Sequence, residues 1–211
     1  MNHNGRVLIR GAGTIFRNGV LFRNPVLVGA LGLYPVAAAG FGLKNAAVLS
    51  ILFVFIALPS QVLLCLTGML VPRWARPAAA LLVTAAFYIP AARAVDWLMP
   101  GYLENLGMAA ALMACNSIIY SRTEEYAPEH ILLAVSADAL GCSLGFAGVI
   151  CLISAVRELW LTGGVWDSGA VGDGIGTGLN LPFAGLILAG LLAALIQWVN
   201  IRYADRYAQE V

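Results

Sequence analysis

Long apolar runs organise this chain. Six can be drawn, over about 25–39, 46–71, 78–99, 103–120, 131–161 and 182–203. A helix that crosses the hydrocarbon core of a membrane needs about 20 residues, within a range near 17 to 25. The second and third runs carry Pro59 and Pro90 inside them. The fifth has length to spare and is expected to tilt or to extend beyond the bilayer. The first run is short and interrupted. It opens on Asn24-Pro25, carries Gly32-Leu33-Tyr34-Pro35 in its middle and ends among glycines. The fourth is marginal in length and is broken by Cys115-Asn116-Ser117.

Composition decides what these runs are. Of 211 residues, 61% are hydrophobic and 11% charged, and the mean hydropathy is +0.85. Soluble domains carry about 25% charged residues. A chain so poor in charge cannot cover a water-facing surface, so it reads as an all-α integral membrane protein. A formal net charge of +1 argues against nucleic acid, which needs a basic face. The N-terminus lacks the pattern of a secretory signal, because Arg6, Arg10, Arg17 and Arg23 interrupt it. Arg6 and Arg10 stand one turn apart with Val7, Leu8, Ile15 and Phe16 interleaved. A short helix lying on the membrane surface and an ordered polar tail both fit. The cysteines Cys65, Cys115, Cys142 and Cys151 form no C-x-x-C pair and read as small apolar side chains rather than a disulfide or zinc framework. The glycine-rich stretch 162–180 contains GDGIGTG. A phosphate-binding turn needs a strand before it and a helix N-terminus after it; with apolar spans on both sides, the stretch reads as a flexible connector.

Lys and Arg orient the spans. With six spans and the N-terminus inside, Arg6, Arg10, Arg17, Arg23, Arg73, Arg76, Arg122, Arg202 and Arg206 fall on the inner side, and Lys44, Arg93 and Arg157 on the outer. Both termini are then cytoplasmic. The organisation is an interfacial N-terminal segment over 1–24, a six-helix membrane domain over 25–203 and a cytoplasmic tail over 204–211. Two halves of three spans have opposite orientations, and each opens on a broken span. This is the pattern of two inverted three-helix repeats with broken first and fourth helices meeting near the midplane. Irregular backbone at membrane depth persists where it is buried in protein or lines a cavity, so the two breaks are expected to form a central site. Simple kinks at Pro35 and at Asn116 and Ser117 are the alternative.

Three stretches carry a resemblance to a known family. They are FRNGVLFRNPVLVGALGLYPVAAA (16–39), ACNSIIYSRTEEYA (114–127) and SADALGCSLGFAGVICLISAVRELW (136–160). In order and spacing they resemble the E subunit of the Rnf electron-transport complex and the D subunit of the Na+-translocating NADH:quinone oxidoreductase. The resemblance covers nearly the whole chain and is weakest in the last span. It implies six spans with an internal inverted repeat, and a homologous partner of opposite topology. It also implies an intramembrane [2Fe-2S] cluster to which each of the two homologous chains gives two cysteines, one per broken helix. In the family, electrons pass between flavin and iron–sulfur subunits, coupled to movement of Na+ or H+.

At the family's two cysteine positions this chain has Tyr34 and Ser117. Cluster iron takes thiolates, so neither residue inherits the ligand role. Cys115 lies two residues before Ser117, about 200° away on a regular helix. The candidates for a central membrane site are therefore Tyr34, Cys115, Asn116, Ser117 and Asp138, with no catalytic residue and no metal ligand among them. Tyr34, Asn116 and Ser117 offer hydrogen bonds, either as ties between half-helices or along an ion path. Asp138 lies about two turns into the fifth span, where a carboxylate is either functional or interfacial and hydrated. Arg122, Glu124, Glu125 and Glu129 read as a solvated inner loop, and Arg157-Glu158 as the membrane boundary of the fifth span. The leading expectation is a membrane subunit of an Rnf-like or Nqr-like complex in a bacterial plasma membrane, without the family's cluster. The alternative is a stand-alone transporter or channel for ions or small solutes on the same scaffold.

Overall fold

The computed structural model describes residues 11–22, 24–38, 42–68, 70–164, 166 and 181–209, and among these the chain is all-helical. Arg6 and Arg10, and almost all of the glycine-rich stretch, lie outside the described residues. Helix α1 covers 11–22, and its end, Asn18–Phe22, is wound as a π-helix. A string of turns over 24–32 leads to the half-helix α2, Leu33–Ala38. Two long helices follow: α3, Leu43–Thr67, and α4, Arg76–Leu98. The fourth apolar run is built from pieces: α5, Tyr102–Leu106; α6, Met108–Ala111; a 3-10 turn, Leu112–Cys115; and α7, Ser117–Ser121. The chain continues through a π-turn, Arg122–Tyr126, into α8, Leu132–Thr162. The last helix, α9, is Pro182–Gln209.

Among the described residues, four helices are long and apolar enough to cross a membrane: α3, α4, α8 and α9. The first and fourth apolar runs are broken, as their Asn-Pro, Gly and Asn-Ser interruptions predict. Gly107 takes a positive φ of 50° between α5 and α6, and Asn116 is extended between the 3-10 turn and α7.

Helices α3 and α8 pack along each other at the centre. Phe53 and Phe146 stack there with ring centroids 4.5 Å apart, and Leu49, Leu52, Ile56, Ile150 and Ile153 complete a fully buried layer. The outer helices are exchanged: α2 packs on α9, while the 3-10 turn and α7 pack on α4. Both α4 and α9 bury few of their residues, as helices facing lipid do. Helix α1 lies across α8, and glycine makes the crossing possible. A Cβ on Gly145 would sit 2.6 Å from Gly19 O and 2.8 Å from Asn24 Nδ2; one on Gly141 would sit 2.7 Å from Phe16 O. Small residues four apart allow backbones in a membrane to approach this closely.

Arg157 and Glu158 lie near the end of α8, and both are enclosed by protein: Arg157 is 0% exposed and Glu158 8%. Charges at a helix end resemble interface anchors in sequence. Here the first residue of α3 and the residue before α9 supply backbone partners. Leu43 N–H donates to Glu158 Oε2 at 2.6 Å, and Arg157 Nη2 donates to Leu181 O at 3.3 Å.

Candidate functional site at the two helix breaks

Both breaks use the same local device. An asparagine side chain turns back and accepts the amide two residues on, which frees the backbone from a continuous helix. At the first break Asn24 Oδ1 accepts from Val26 N–H at 2.9 Å, and Asn24 Nδ2 donates to Val20 O at 3.2 Å. At the second, Asn116 Oδ1 accepts from Ile118 N–H at 2.9 Å and so caps α7. Pro25 cannot donate a backbone hydrogen bond, and Ala30 and Gly32 take left-handed φ values of 51° and 65°.

The two breaks touch. Gly32 N–H donates to Ser117 Oγ at 2.8 Å across 85 positions of sequence. Gly32 is required by conformation and by space: a Cβ there would lie 2.7 Å from Ile118 Cδ1 and 3.3 Å from Asn116 Oδ1. Beside this bond is a cavity of about 270 Å³, walled by residues 32–35 on one side and by Leu112 and residues 115–117 on the other. Asn116 is buried, whereas Tyr34 and Cys115 are exposed. Four of the five sequence candidates, Tyr34, Cys115, Asn116 and Ser117, thus share one cavity.

Asp138 stands apart from it. The carboxylate is buried on α8 and faces the turn after α7, where Arg122 Nη1 lies 3.7 Å from Asp138 Oδ1. Cys142 Sγ donates to Asp138 Oδ2 at 3.7 Å. Arg122 also stands over the Tyr126 ring, 5.6 Å from its centroid, and His130 stacks on the same ring with centroids 3.8 Å apart. Burial, with the Asp138 charge adding to it, pushes the Tyr126 phenol above its ordinary pKa, so the ring stays neutral beside the ion pair. Of the loop acids, Glu129 pairs with Arg76 at 3.6 Å.

The donors at the cavity do not fit a [2Fe-2S] cluster. Such a cluster draws on thiolates, or on histidine in one class. Here Ser117 Oγ is engaged with the Gly32 amide, Tyr34 offers a phenol, and Cys115 is the one thiol in the walls. The other thiols belong elsewhere: Cys65 donates to His130 O at 3.2 Å, Cys142 to Asp138, and Cys151 lies 3.9 Å from Ser50 Oγ. Sequence reasoning missed the Gly32–Ser117 bond, the Arg122–Asp138 pair and the burial of Arg157 and Glu158. A long-range tie leaves no local periodicity to read; the sign change from Arg122 to Asp138 in adjoining segments was the one available signal.

Comparison with known proteins places the chain in a family of membrane proteins. The description "Rnf-Nqr subunit, membrane protein" matches residues 12–198. The chain is 29% identical over 153 residues to the E subunit of the ion-translocating oxidoreductase complex of Vibrio parahaemolyticus, covering 72% of this chain and 66% of that protein. It is 26% identical over 188 residues to the E subunit of the proton-translocating ferredoxin:NAD(+) oxidoreductase complex of Clostridium ljungdahlii, covering 88% of each. It is also 26% identical over 182 residues to the Na(+)-translocating counterpart of Acetobacterium woodii, covering 85% of this chain and 93% of that one. The matched part thus spans just under two thirds of the Vibrio relative and most of the other two. With a family match that runs through both breaks, over residues 12–198 of 211, the chain belongs to the Rnf-Nqr family of membrane subunits.

Proposed function

We propose that this chain is a membrane subunit of an Rnf-like ion-translocating electron-transport complex in a bacterial plasma membrane. The observation that carries the proposal is the junction of the two breaks, where Gly32 N–H meets Ser117 Oγ between two asparagine-closed turns. Two discontinuous segments that meet inside a helical bundle are the arrangement expected of a central site in a transport protein. The relatives' names, which describe components of ion-translocating oxidoreductases, support the same reading.

The chain crosses the membrane six times, as two inverted three-helix repeats with both termini cytoplasmic. The exchange of partners supports this: α2 rests on α9, α7 on α4, and α3 on α8. Each half thereby contributes an equivalent element to the other. Exposed Trp74 just before α4, and exposed Trp97 and Trp160 near the ends of α4 and α8, suit the aromatic belts at the two membrane surfaces.

The junction is closed by hydrogen bonds instead of a cluster held by this chain. Its own residues do no redox chemistry; they bind neighbours and shape the cavity. Tyr34 and Cys115 are exposed at the cavity, and polar groups within a membrane protein's spans seek partners in protein. A homologous membrane subunit of opposite topology covers that mouth, and flavin and iron–sulfur subunits complete the complex. The test is ion uptake driven by electron transfer in inverted vesicles from the native host. Deleting the gene should abolish uptake and the intact chain should restore it. Uptake that survives deletion refutes the proposal, and flux through liposomes containing only this chain favours a stand-alone transporter.

A further inference from the structure

We propose that the crevice between α8 and α9 holds one acyl chain of a phospholipid, with the glycerol end of the molecule beside Trp160. The crevice is separate from the cavity at the breaks, and the proposal stands without the complex assignment.

Helix α9 spends small residues on α2. A Cβ on Gly185 would be 3.0 Å from Val36 O and 3.2 Å from Ala37 Cα, and Ala189, one turn on, is buried. Beside that stripe runs one of leucine: Leu188, Leu192 and Leu195 recur at helical spacing. With Leu191 they face Leu152, Ile153 and Val156 of α8 across a cavity of about 260 Å³. Its floor is protein, since Ile153 is buried and Leu188 and Leu192 pack on the core. Its rim is open: Leu152, Leu191 and Leu195 are each exposed by half or more.

The chemistry and the size of the crevice choose the occupant. Among the described residues the walls are Leu, Ile and Val alone, so nothing in them answers a polar group. Both helices are long and apolar enough to span a membrane. Helices that pack together in a membrane do so through small residues or interhelical hydrogen bonds, and these walls offer neither. Leu188 to Leu195 covers about 10 Å of helix rise, so the volume leaves a section of about 26 Å². A helix with its side chains is about 10–12 Å across. A single hydrocarbon chain is slim enough to lie in the crevice, and a helix is not.

The mouth of the crevice has the register of a lipid site. Leu152, Val156 and Trp160 are four apart, on one face of α8, so the row that lines the crevice ends on the exposed Trp160. Val156 stands six residues before the end of α8 at Thr162, and Leu188 six after the start of α9 at Pro182. The crevice therefore begins about 9 Å in from both helix ends, which lie on the same side of the membrane. A tryptophan at that level offers its ring to the chain and its N–H to an ester. The lodged chain fills space that protein leaves open beside α9, the helix on which α2 rests.

The experiment feeds the native host a fatty acid that carries a diazirine. The tagged full chain is solubilised gently with its partners, washed free of bulk lipid and irradiated, and its adducts are placed by peptide mass spectrometry. Adducts of phospholipid mass are expected over 152–156 and 188–195. They should be severalfold rarer on the exposed face of α4, at Leu82 and Ile89. Leu191→Trp, which fills the rim, is expected to lower the crevice adducts severalfold; if that variant fails to accumulate, Leu152→Trp closes the same space from the other wall. Adducts spread evenly over α4 and the crevice would mean bulk lipid only and overturn the proposal. So would no adduct in the crevice, a crevice adduct to another protein, or adducts that the tryptophan leaves unchanged. A washed protein whose extract holds quinone and no phospholipid overturns it as well.

Discussion

Replacing Gly32 by alanine tests whether the junction is as tightly built as its geometry states. Two costs add. The left-handed backbone, with φ of 65°, costs an L-residue about 1–2 kcal/mol. The new Cβ would stand 2.7 Å from Ile118 Cδ1 and 3.1 Å from Cγ1. Ile118 is buried and stiff at χ1, but Cδ1 is the free end of the chain. The overpacking cost therefore falls in the lower part of the usual range, about 1–2 kcal/mol. The sum is a loss of about 2–4 kcal/mol. Two controls separate the terms. Gly101 has φ of 78° and open space around it, so Gly101→Ala isolates the backbone cost at about 1–2 kcal/mol. Gly148 lies inside α8, also in open space, so Gly148→Ala is expected to be neutral or to stabilise by up to about 1 kcal/mol. The assay is equilibrium unfolding in mixed micelles titrated with SDS, followed by circular dichroism. Equal losses for Gly32→Ala and Gly101→Ala would refute the close packing of the first break on the second.

Ser117→Ala removes the acceptor of the Gly32 amide and should cost about 1–3 kcal/mol in the same titration, with Ser117→Cys intermediate; no loss would mean that the bond contributes nothing. Gly145→Ala would push a Cβ to 2.6 Å from the backbone carbonyl of Gly19, which cannot rotate aside, so a loss of about 3 kcal/mol is expected; a stability equal to the parent's would refute the α1–α8 crossing. A double-mutant cycle on Arg122→Ala and Asp138→Ala should return a coupling of about 1–2 kcal/mol. The value is held below that of a fully buried pair because Arg122 is partly exposed; zero coupling would contradict the ion pair.

The breaks themselves were legible because their causes are local. Asn24 before Pro25, glycine at 32 and Asn116 beside Ser117 each disturb a helix within a turn of where they stand. The four long helices were legible because length and apolarity suffice. The rest depends on contacts between distant residues. Nothing in Ser117 or Gly32 alone states that they bond across 85 positions. Arg157-Glu158 looks like any charged helix end until the first residue of α3 and the residue before α9 supply its backbone partners. Asp138 reads as a candidate for the central site because it lies inside an apolar run, but its register on α8 turns it toward Arg122 rather than into the cavity. Tyr34 and Ser117 lie in the two interruptions that the apolar pattern shows, and a family resemblance added which residues are expected there.

The central claim is that this chain works inside an Rnf-like redox complex. Its most direct test is quantitative mass spectrometry of what copurifies with the tagged chain from gently solubilised native membranes. The expected result is stoichiometric recovery of a homologous membrane subunit together with flavin-binding and iron–sulfur subunits. A chain recovered alone, or only with copies of itself, would contradict the claim.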